Sequence, residues 1–334
     1  MDKRKIGQNG FSCGPVGLGA MSFAGIYGNA TREETYAVLD ACLDLGIDHI
    51  DTSNVYGMGR SETLIGDWFK ERGSDKKHQF TIATKAAITK DPDTGARIHS
   101  NTRDHLEGEL DKSLERLGVD TVDLFYVHRR DPETPVEELG KTLQGLIDTG
   151  KCRSVGISEI APSILRRLVK HVPIAAVQSE YSLSTRSPEL GLVQTCEEVG
   201  ATLVAFSPVG RGLLTDNPPT PDYVAASDFM KVNPRFIGEN YDLNIAESQK
   251  FQALARNFGV PAAALAIAWV LAKGAHIIPI PGTRNVDHLA ELAKGADLKL
   301  TENDVREIER VMPVGWAHGD RYSVGQWIGP ERYC

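Results

Sequence analysis

The chain is poor in the features that would place it outside an ordinary enzyme. Of its 334 residues only five are cysteines, at positions 13, 42, 152, 196 and 334, and no two form a C-x-x-C pair. That excludes a disulfide framework and a cysteine zinc site, and it fits reduced thiols in a cytoplasmic protein. No run approaches the roughly 18 consecutive apolar residues that a bilayer-spanning helix needs. The opening Met1-Asp2-Lys3-Arg4-Lys5 lacks the apolar stretch of a secretory signal. Positive charge is not in excess either: 37 Lys and Arg against 45 Asp and Glu leave a formal charge of −8. A nucleic acid or an anionic membrane is therefore excluded as main partner, although a local basic pocket for an anionic ligand survives such a total. The glycine-rich dinucleotide fingerprint is missing as well. Gly17-Leu18-Gly19-Ala20-Met21-Ser22 follows a strand, but it has no third glycine and no helix opens at once.

What is present is a core and an alternation. Apolar residues make up 41% and charged residues 25%, the balance of a globular protein with ample interior. A hairpin is expected over 3–13, around Asn9-Gly10, a strong two-residue turn signal. After it come eight continuous apolar runs, near 16–18, 49–51, 80–84, 122–127, 154–157, 175–178, 202–206 and 275–279. Buried parallel strands read in this way. Helical patterns stand between them, over 31–45, 61–71, 102–117, 135–150, 162–170, 188–199 and 248–258, and again from about 286. Thr31 with Glu34 forms a capping box, and Pro135 follows Thr134 at a first helical position. About eight βα units argue for one α/β domain over 1–334, a closed (β/α)8 TIM barrel, and not for an open doubly wound sheet. Two segments stand outside the repeat. One is the long loop over 207–247 after the seventh strand; such loops are functional or disordered. The other is the C-terminal tail beyond 311, whose Trp316, Tyr322, Trp327 and Tyr333 predict packing on the barrel, since disordered tails are poor in aromatics.

The chain is organised around Gly46-Ile47-Asp48-His49-Ile50-Asp51-Thr52-Ser53-Asn54-Val55-Tyr56-Gly57. Asp51 ends a strand there and Tyr56 lies on the loop that follows. Lys85 ends the next strand and His128 the one after. In a parallel barrel these ends share one face, where active sites sit. A phenol can serve as a proton donor, but it is a poor acid unless a cation stabilises its anion. Lys85 is suited to be that cation, Asp51 its anchor, and His128 a hydrogen-bonding group that orients the substrate oxygen. On the residues alone, an Asp51–Lys85 ion pair with Tyr56 and His128 as packed neighbours remains the structural alternative. Asp51 and a lone His128 supply neither the paired carboxylates nor the metal ligands of a hydrolytic barrel.

Asp51, Tyr56, Lys85 and His128 in this arrangement resemble the catalytic set of the aldo-keto reductases, NADPH-dependent carbonyl reductases on a (β/α)8 barrel. The likeness runs from the hairpin to about Lys294. It implies reduction of aldehydes, and of ketones, by hydride transfer from NADPH to a small carbonyl substrate. A second function it implies is an NADPH-binding sensor or regulatory subunit with little turnover. The resemblance also implies cofactor contacts. Ser158, Glu159 and Gln178 match the positions that hold the nicotinamide amide, with Glu159 replacing the usual asparagine. Tyr181 matches the aromatic stacked on the nicotinamide ring. Ser207, Pro208, Val209, Gly210, Arg211, Gly212 and Leu213 match the segment laid over the pyrophosphate. In Ile280-Pro281-Gly282-Thr283-Arg284-Asn285, Thr283 and Arg284 match residues that bind the 2′-phosphate, with Gly282 beside them. His288 holds a position where some branches carry a second arginine, and Glu291 matches an adenine contact. Leu292 departs from an asparagine there. The long segment over 207–247 is expected to close over the cofactor and to hinge near Gly210-Arg211-Gly212. Arg129 and Arg130 are placed to meet an anionic substrate, with a solvated loop as the alternative for at least one of them.

Overall fold

Eight parallel strands lie side by side in chain order. They are β1 (Leu18–Gly19), β2 (His49–Asp51), β3 (Thr81–Ala86), β4 (Leu124–Val127), β5 (Val155–Ser158), β6 (Ile174–Glu180), β7 (Thr202–Phe206) and β8 (Ile277–Pro279). The row closes on itself: Gly17 donates to the Pro279 carbonyl at 3.0 Å and Gly19 to that of Pro281 at 2.9 Å. The closed (β/α)8 barrel expected from the alternation is thus present. The structure, a computed structural model, describes residues 2–8 and 10–333. Asn9, half of the expected Asn9-Gly10 turn, and Cys334 lie outside the described residues.

Strand period decides what each residue faces, because successive side chains point to opposite sides. Ala83, Leu124, Tyr126, Ala176, Val204 and Ile278 form one cluster, the barrel interior. Their neighbours Ile50, Ile82, Phe125, Val155, Ile157, Val177 and Leu203 pack outward into the main core under the helices. Gly156 makes room inside: a Cβ there would meet the Tyr126 ring at 2.6 Å and the Ala176 carbonyl at 2.7 Å. The N-terminal hairpin (Arg4–Lys5 with Ser12–Cys13) plugs the end where the strands begin. Its Ile6 and Cys13 join the interior cluster, and the Thr202 hydroxyl at the start of β7 bonds to Gly7 and Lys5. Cys13, Cys42, Cys152 and Cys196 are buried free thiols whose pKa burial pushes up to about 12, so they are inert.

The outer helices follow in turn: α1 (Arg32–Cys42), α2 (Arg60–Arg72), α3 (Arg103–Leu117), α4 (Val136–Asp148), α5 (Pro162–Leu168) and α6 (Leu192–Val199). Thr31 and Glu34 form the capping box expected of them. Three elements differ from the sequence reading. The loop after β3 is a β-hairpin, Ile88–Lys90 against Arg97–His99, turned by Asp91, whose Oδ1 accepts from Thr94 at 2.7 Å. After β7 the chain is not structureless. It carries a short α7 (Pro221–Ala226), and α8 (Glu239–Asn257) begins well before residue 248. Finally α9 (Ala262–Ala272) was not foreseen at all: it is buried along nearly its whole length, so it has no polar face to set a period. α10 (Val286–Lys294) and α11 (Glu302–Val311) complete the ring, and the tail folds back over the strand ends, where the Trp316 indole donates to the Leu183 carbonyl at 2.9 Å.

The interior packing sets a pair of opposite outcomes. Gly156→Ala forces a methyl into the Tyr126 ring and should destabilise by about 1–3 kcal/mol. Gly108→Ala, in α3 with nothing within 4 Å of its Cβ, should stabilise by about 0.5–1 kcal/mol. Denaturant midpoints of the two variants check both signs.

Candidate active site

The side chains named from the sequence converge where the interior register runs out of the barrel. Asp51, Lys85, His128, Ser158 and Gln178 all share the inward parity of their strands, so they form the next layer above the apolar interior. Lys85 is fully buried and ion-paired with Asp51. Its ammonium also donates to the Thr52 carbonyl at 2.7 Å and reaches the Tyr56 hydroxyl at 3.5 Å. Gln178 donates to the second Asp51 oxygen at 2.7 Å, tying β6 to β2 across the barrel. Tyr56 and His128 meet edge to face with ring centroids 5.9 Å apart. Backbone strain gathers at this end. Ala87, Glu159 and Ser207, the residues directly after β3, β5 and β7, all have positive φ (119°, 57° and 51°).

Charge balance keeps the phenol protonated. Burial raises the Tyr56 pKa, Lys85 pulls it down, Asp51 raises it, and the net direction is up. The expected lowering by Lys85 is therefore present but outweighed by burial. Burial also opposes the Lys85 charge, yet Asp51 and Tyr56 prevail and its pKa is raised. His128 goes the other way: burial first, then Arg129 and Lys85, push it well below the ordinary histidine value, so the ring is neutral. The Ser53 hydroxyl lies 3.1 Å from His128 Nδ1 and 3.3 Å from the Lys85 carbonyl; when its one proton goes to Nδ1, the ring proton sits on Nε2.

A cavity of about 1110 Å³ opens on these groups. Tyr56, His128, Ser158 and Gln178 line it at the strand ends. So do Ser207, Pro208, Val209, Arg211 and Gly212, and on the β8 side Gly282, Thr283, Arg284, His288, Glu291 and Leu292. Glycine is required at the β1–β8 seam, because a Cβ on Gly282 would lie 2.6 Å from the Gly19 carbonyl. Arg284 donates to the carbonyls of Asn29 (2.6 Å) and Tyr27 (3.0 Å), which leaves further guanidinium donors for a ligand.

Four expected contacts are not placed at the cavity. Tyr181 is fully buried against Trp269, 5.5 Å between centroids, with its hydroxyl on Glu189. It lies an odd number of residues from Gln178, so it faces the helices. An aromatic at a strand end that does line the cavity is Phe206, on the same face of β7 as the inward Val204. Period-2 counting from Gln178 and Val204 was the signal that would have found it. Glu159 is turned away into a buried ion pair with Arg321 of the tail, and it accepts from the Glu180 backbone at 2.9 Å. Burial opposes its charge, but Arg321 holds its pKa below the usual carboxylate range. Leu213 is fully buried in the main core, and Gly210 packs at Ser184, whose Oγ would lie 2.9 Å from an added Cβ.

The segment over 207–247 does lie over the cavity, but its root is pinned. Arg211 is buried, pairs with Glu180 at 2.6 Å, and donates to the Arg321 carbonyl at 2.8 Å. Arg235 reaches the same carboxylate at 3.4 Å. Removing one partner of a buried pair costs about 3–5 kcal/mol, so a hinge at Gly210-Arg211-Gly212 is opposed by this lock. The outer edge is held more lightly, by Tyr223 donating to the Tyr27 carbonyl at 2.7 Å and Ser227 to that of Ile26 at 3.1 Å. The tail closes a neighbouring side, where Arg130 pairs with Glu331.

A parallel barrel that buries a lysine–aspartate pair beside a tyrosine and a neutral histidine defines a class, and the comparisons agree with it. Residues 15–313 match the aldo/keto reductase family model, and the chain belongs to that family. The aldo-keto reductase yakc of Schizosaccharomyces pombe, whose name carries NADP(+), is 37% identical over 325 residues, covering 96% of this chain and 94% of its own. A probable aldo-keto reductase of Glycine max is 35% identical, covering 96% and 92%. Among solved structures, the glycerol dehydrogenase of Gluconobacter oxydans superposes with a TM-score of 0.79 at 27% identity, covering 93% of this chain and 94% of the other.

The neutral His128 has a consequence for stability. Its folded pKa lies below the unfolded value, so its contribution is full above the ordinary histidine pKa of about 6.5 and is lost as pH falls through the window below it. Urea midpoints taken at about pH 7.5 and pH 5.5 should fall more steeply in the wild type than in His128→Gln; parallel losses would place the charge-sensitive group elsewhere.

Proposed function

We propose that the protein reduces aldehydes, and ketones, to alcohols with NADPH, and that Tyr56 is the proton donor. One observation carries the reading: the Lys85 ammonium, anchored by Asp51, stands 3.5 Å from a cavity-lining phenol. The cofactor fits the residues present. The cavity is larger than the ordinary drug-sized pocket of roughly 300–1,000 Å³. Its seam at Gly19 and Gly282 lets backbone approach a ligand, and Arg284 beside the start of α10 offers charge to a phosphate. The NADP(+) in the name of the fission-yeast relative supports the same choice.

The chemistry the bound cofactor supplies is a hydride for the carbonyl carbon. The residues do the rest. His128 donates from Nε2 to the carbonyl oxygen and fixes its position. As the π pair moves onto that oxygen, the Tyr56 O–H bond breaks and its proton goes to the oxygen, which completes the alcohol. Lys85 stabilises the tyrosinate left behind, which regains a proton from solvent. Asp51 keeps the ammonium charged and in place, and Gln178 holds Asp51. Phe206 and Ser158 form walls against which a nicotinamide ring and its amide are positioned, in place of Tyr181 and Glu159. Arg284 and Thr283 meet the 2′-phosphate.

Tyr56→Phe keeps the ring and removes the acid. The turnover number for a simple aldehyde should fall by at least about 10²–10⁴-fold, with NADPH affinity, read by its fluorescence, nearly unchanged. Wild-type turnover in Tyr56→Phe would remove Tyr56 from the reaction. A wild type that oxidises one equivalent of NADPH and stops would favour a regulatory protein over an enzyme.

A further inference from the structure

We propose that the preferred substrates are carbonyl compounds carrying a carboxylate, short oxo acids, and that Arg97 and Arg129 are the residues that recognise that group. This rests on the reductase reading and narrows its substrate class.

Other arginines at this end of the barrel are balanced by carboxylates. Arg130 is paired with Glu331, Arg211 and Arg235 with Glu180, and Arg321 with Glu159. Arg97 and Arg129 stand apart: both line the cavity with Tyr56 and His128, and neither has a carboxylate partner among the described residues. Arg129 is only 8% exposed. It donates from Nη1 to the His128 carbonyl at 2.6 Å and to Ser158 at 2.9 Å, and its buried Nε has no partner. A buried guanidinium with no carboxylate bonded to it is costly, and an anion that bonds to it offsets that cost.

Arg97 comes from a different element, the hairpin after β3, and lies at the exposed rim. The two guanidinium groups sense each other: burial and then Arg129 lower the Arg97 pKa. The nearby histidines add no further positive charge. His99, lowered to about 4 by burial and then by Arg97 and Arg129, is neutral, as His128 is. Among the described residues, then, two guanidinium groups line the cavity beside the reacting groups with no carboxylate in pairing range; Glu159 feels Arg129, but its oxygens are taken by Arg321. Arg284, also without a carboxylate partner, is taken by the cofactor phosphate in the reading above and sits across the cavity at the start of α10. A planar guanidinium matches a carboxylate with two parallel bonds, which makes the second seat one for a carboxylate and not merely for a polar group.

The test compares two substrates of like size, succinic semialdehyde and butanal, each with NADPH. The wild type should favour the acid in kcat/KM by at least about tenfold, the range expected of charge-assisted bonds. Arg97→Gln should lower that ratio about tenfold or more, chiefly through KM for the acid, and Arg97→Lys should restore part of it. A wild-type ratio near one, or equal losses on both substrates in Arg97→Gln, overturns the proposal while leaving reductase activity standing. Oxidation of NADPH by neither compound would instead count against the reductase reading. The seat is then still read without turnover, by calorimetric titration of succinate with butanediol as the neutral control. Saturable succinate binding that Arg97→Gln weakens supports the seat, and equal behaviour of wild type and variant overturns it.

Discussion

The buried ion pair of Lys85 and Asp51 is the constraint on which the rest of the site depends. A lysine with no exposed surface must keep a counter-charge or lose its own. Asp51 supplies it from the neighbouring strand, and Gln178 pins Asp51 from the far side of the barrel. Three strands are thereby fixed relative to one another at the height where chemistry is proposed. A one-residue slip of β3 would turn Lys85 out of the barrel and Thr84 or Ala86 in, so the same packing that sets the register aims the ammonium at Tyr56.

A second set of buried charges performs a similar service for the roof. Glu180 at the end of β6 gathers Arg211 and Arg235 from the segment after β7, and Arg321 of the tail lies 3.6 Å from it. Glu159 takes the same Arg321. Segments distant in the chain meet at two carboxylates, so the cavity is walled by loops that behave as parts of the barrel. The outer edge is held only by lighter contacts, where two hydroxyls bond to the backbone of residues 26 and 27.

Much of this was legible because it follows from periodicity. Eight apolar runs at regular spacing announced the barrel, and strand ends announced which face Asp51, Lys85 and His128 share. What was not legible has identifiable causes. The helix Ala262–Ala272 is apolar all round and carries no phase. Glu159 was expected at the nicotinamide amide because it matches a family position, and its pairing with Arg321 of the tail leaves no local mark in the sequence. Tyr181 was named by the resemblance alone, whereas the period-2 pattern of β7 puts Phe206 on the inward face. Arg97 lies in a hairpin that carries no motif, and what separates Arg129 from Arg130 is the pairing of Arg130 with Glu331, far away in the chain.

The central claim is that this buried pair serves reduction of a carbonyl at the cavity. Label transfer tests it most directly. NADPH deuterated at the transferring position is oxidised with an aldehyde, and the alcohol is read by mass spectrometry. About one deuterium should appear on the former carbonyl carbon for each cofactor oxidised, and that transfer should be lost in a folded Lys85→Met. Oxidation of the cofactor without label in the alcohol, or undiminished transfer in Lys85→Met, would contradict it.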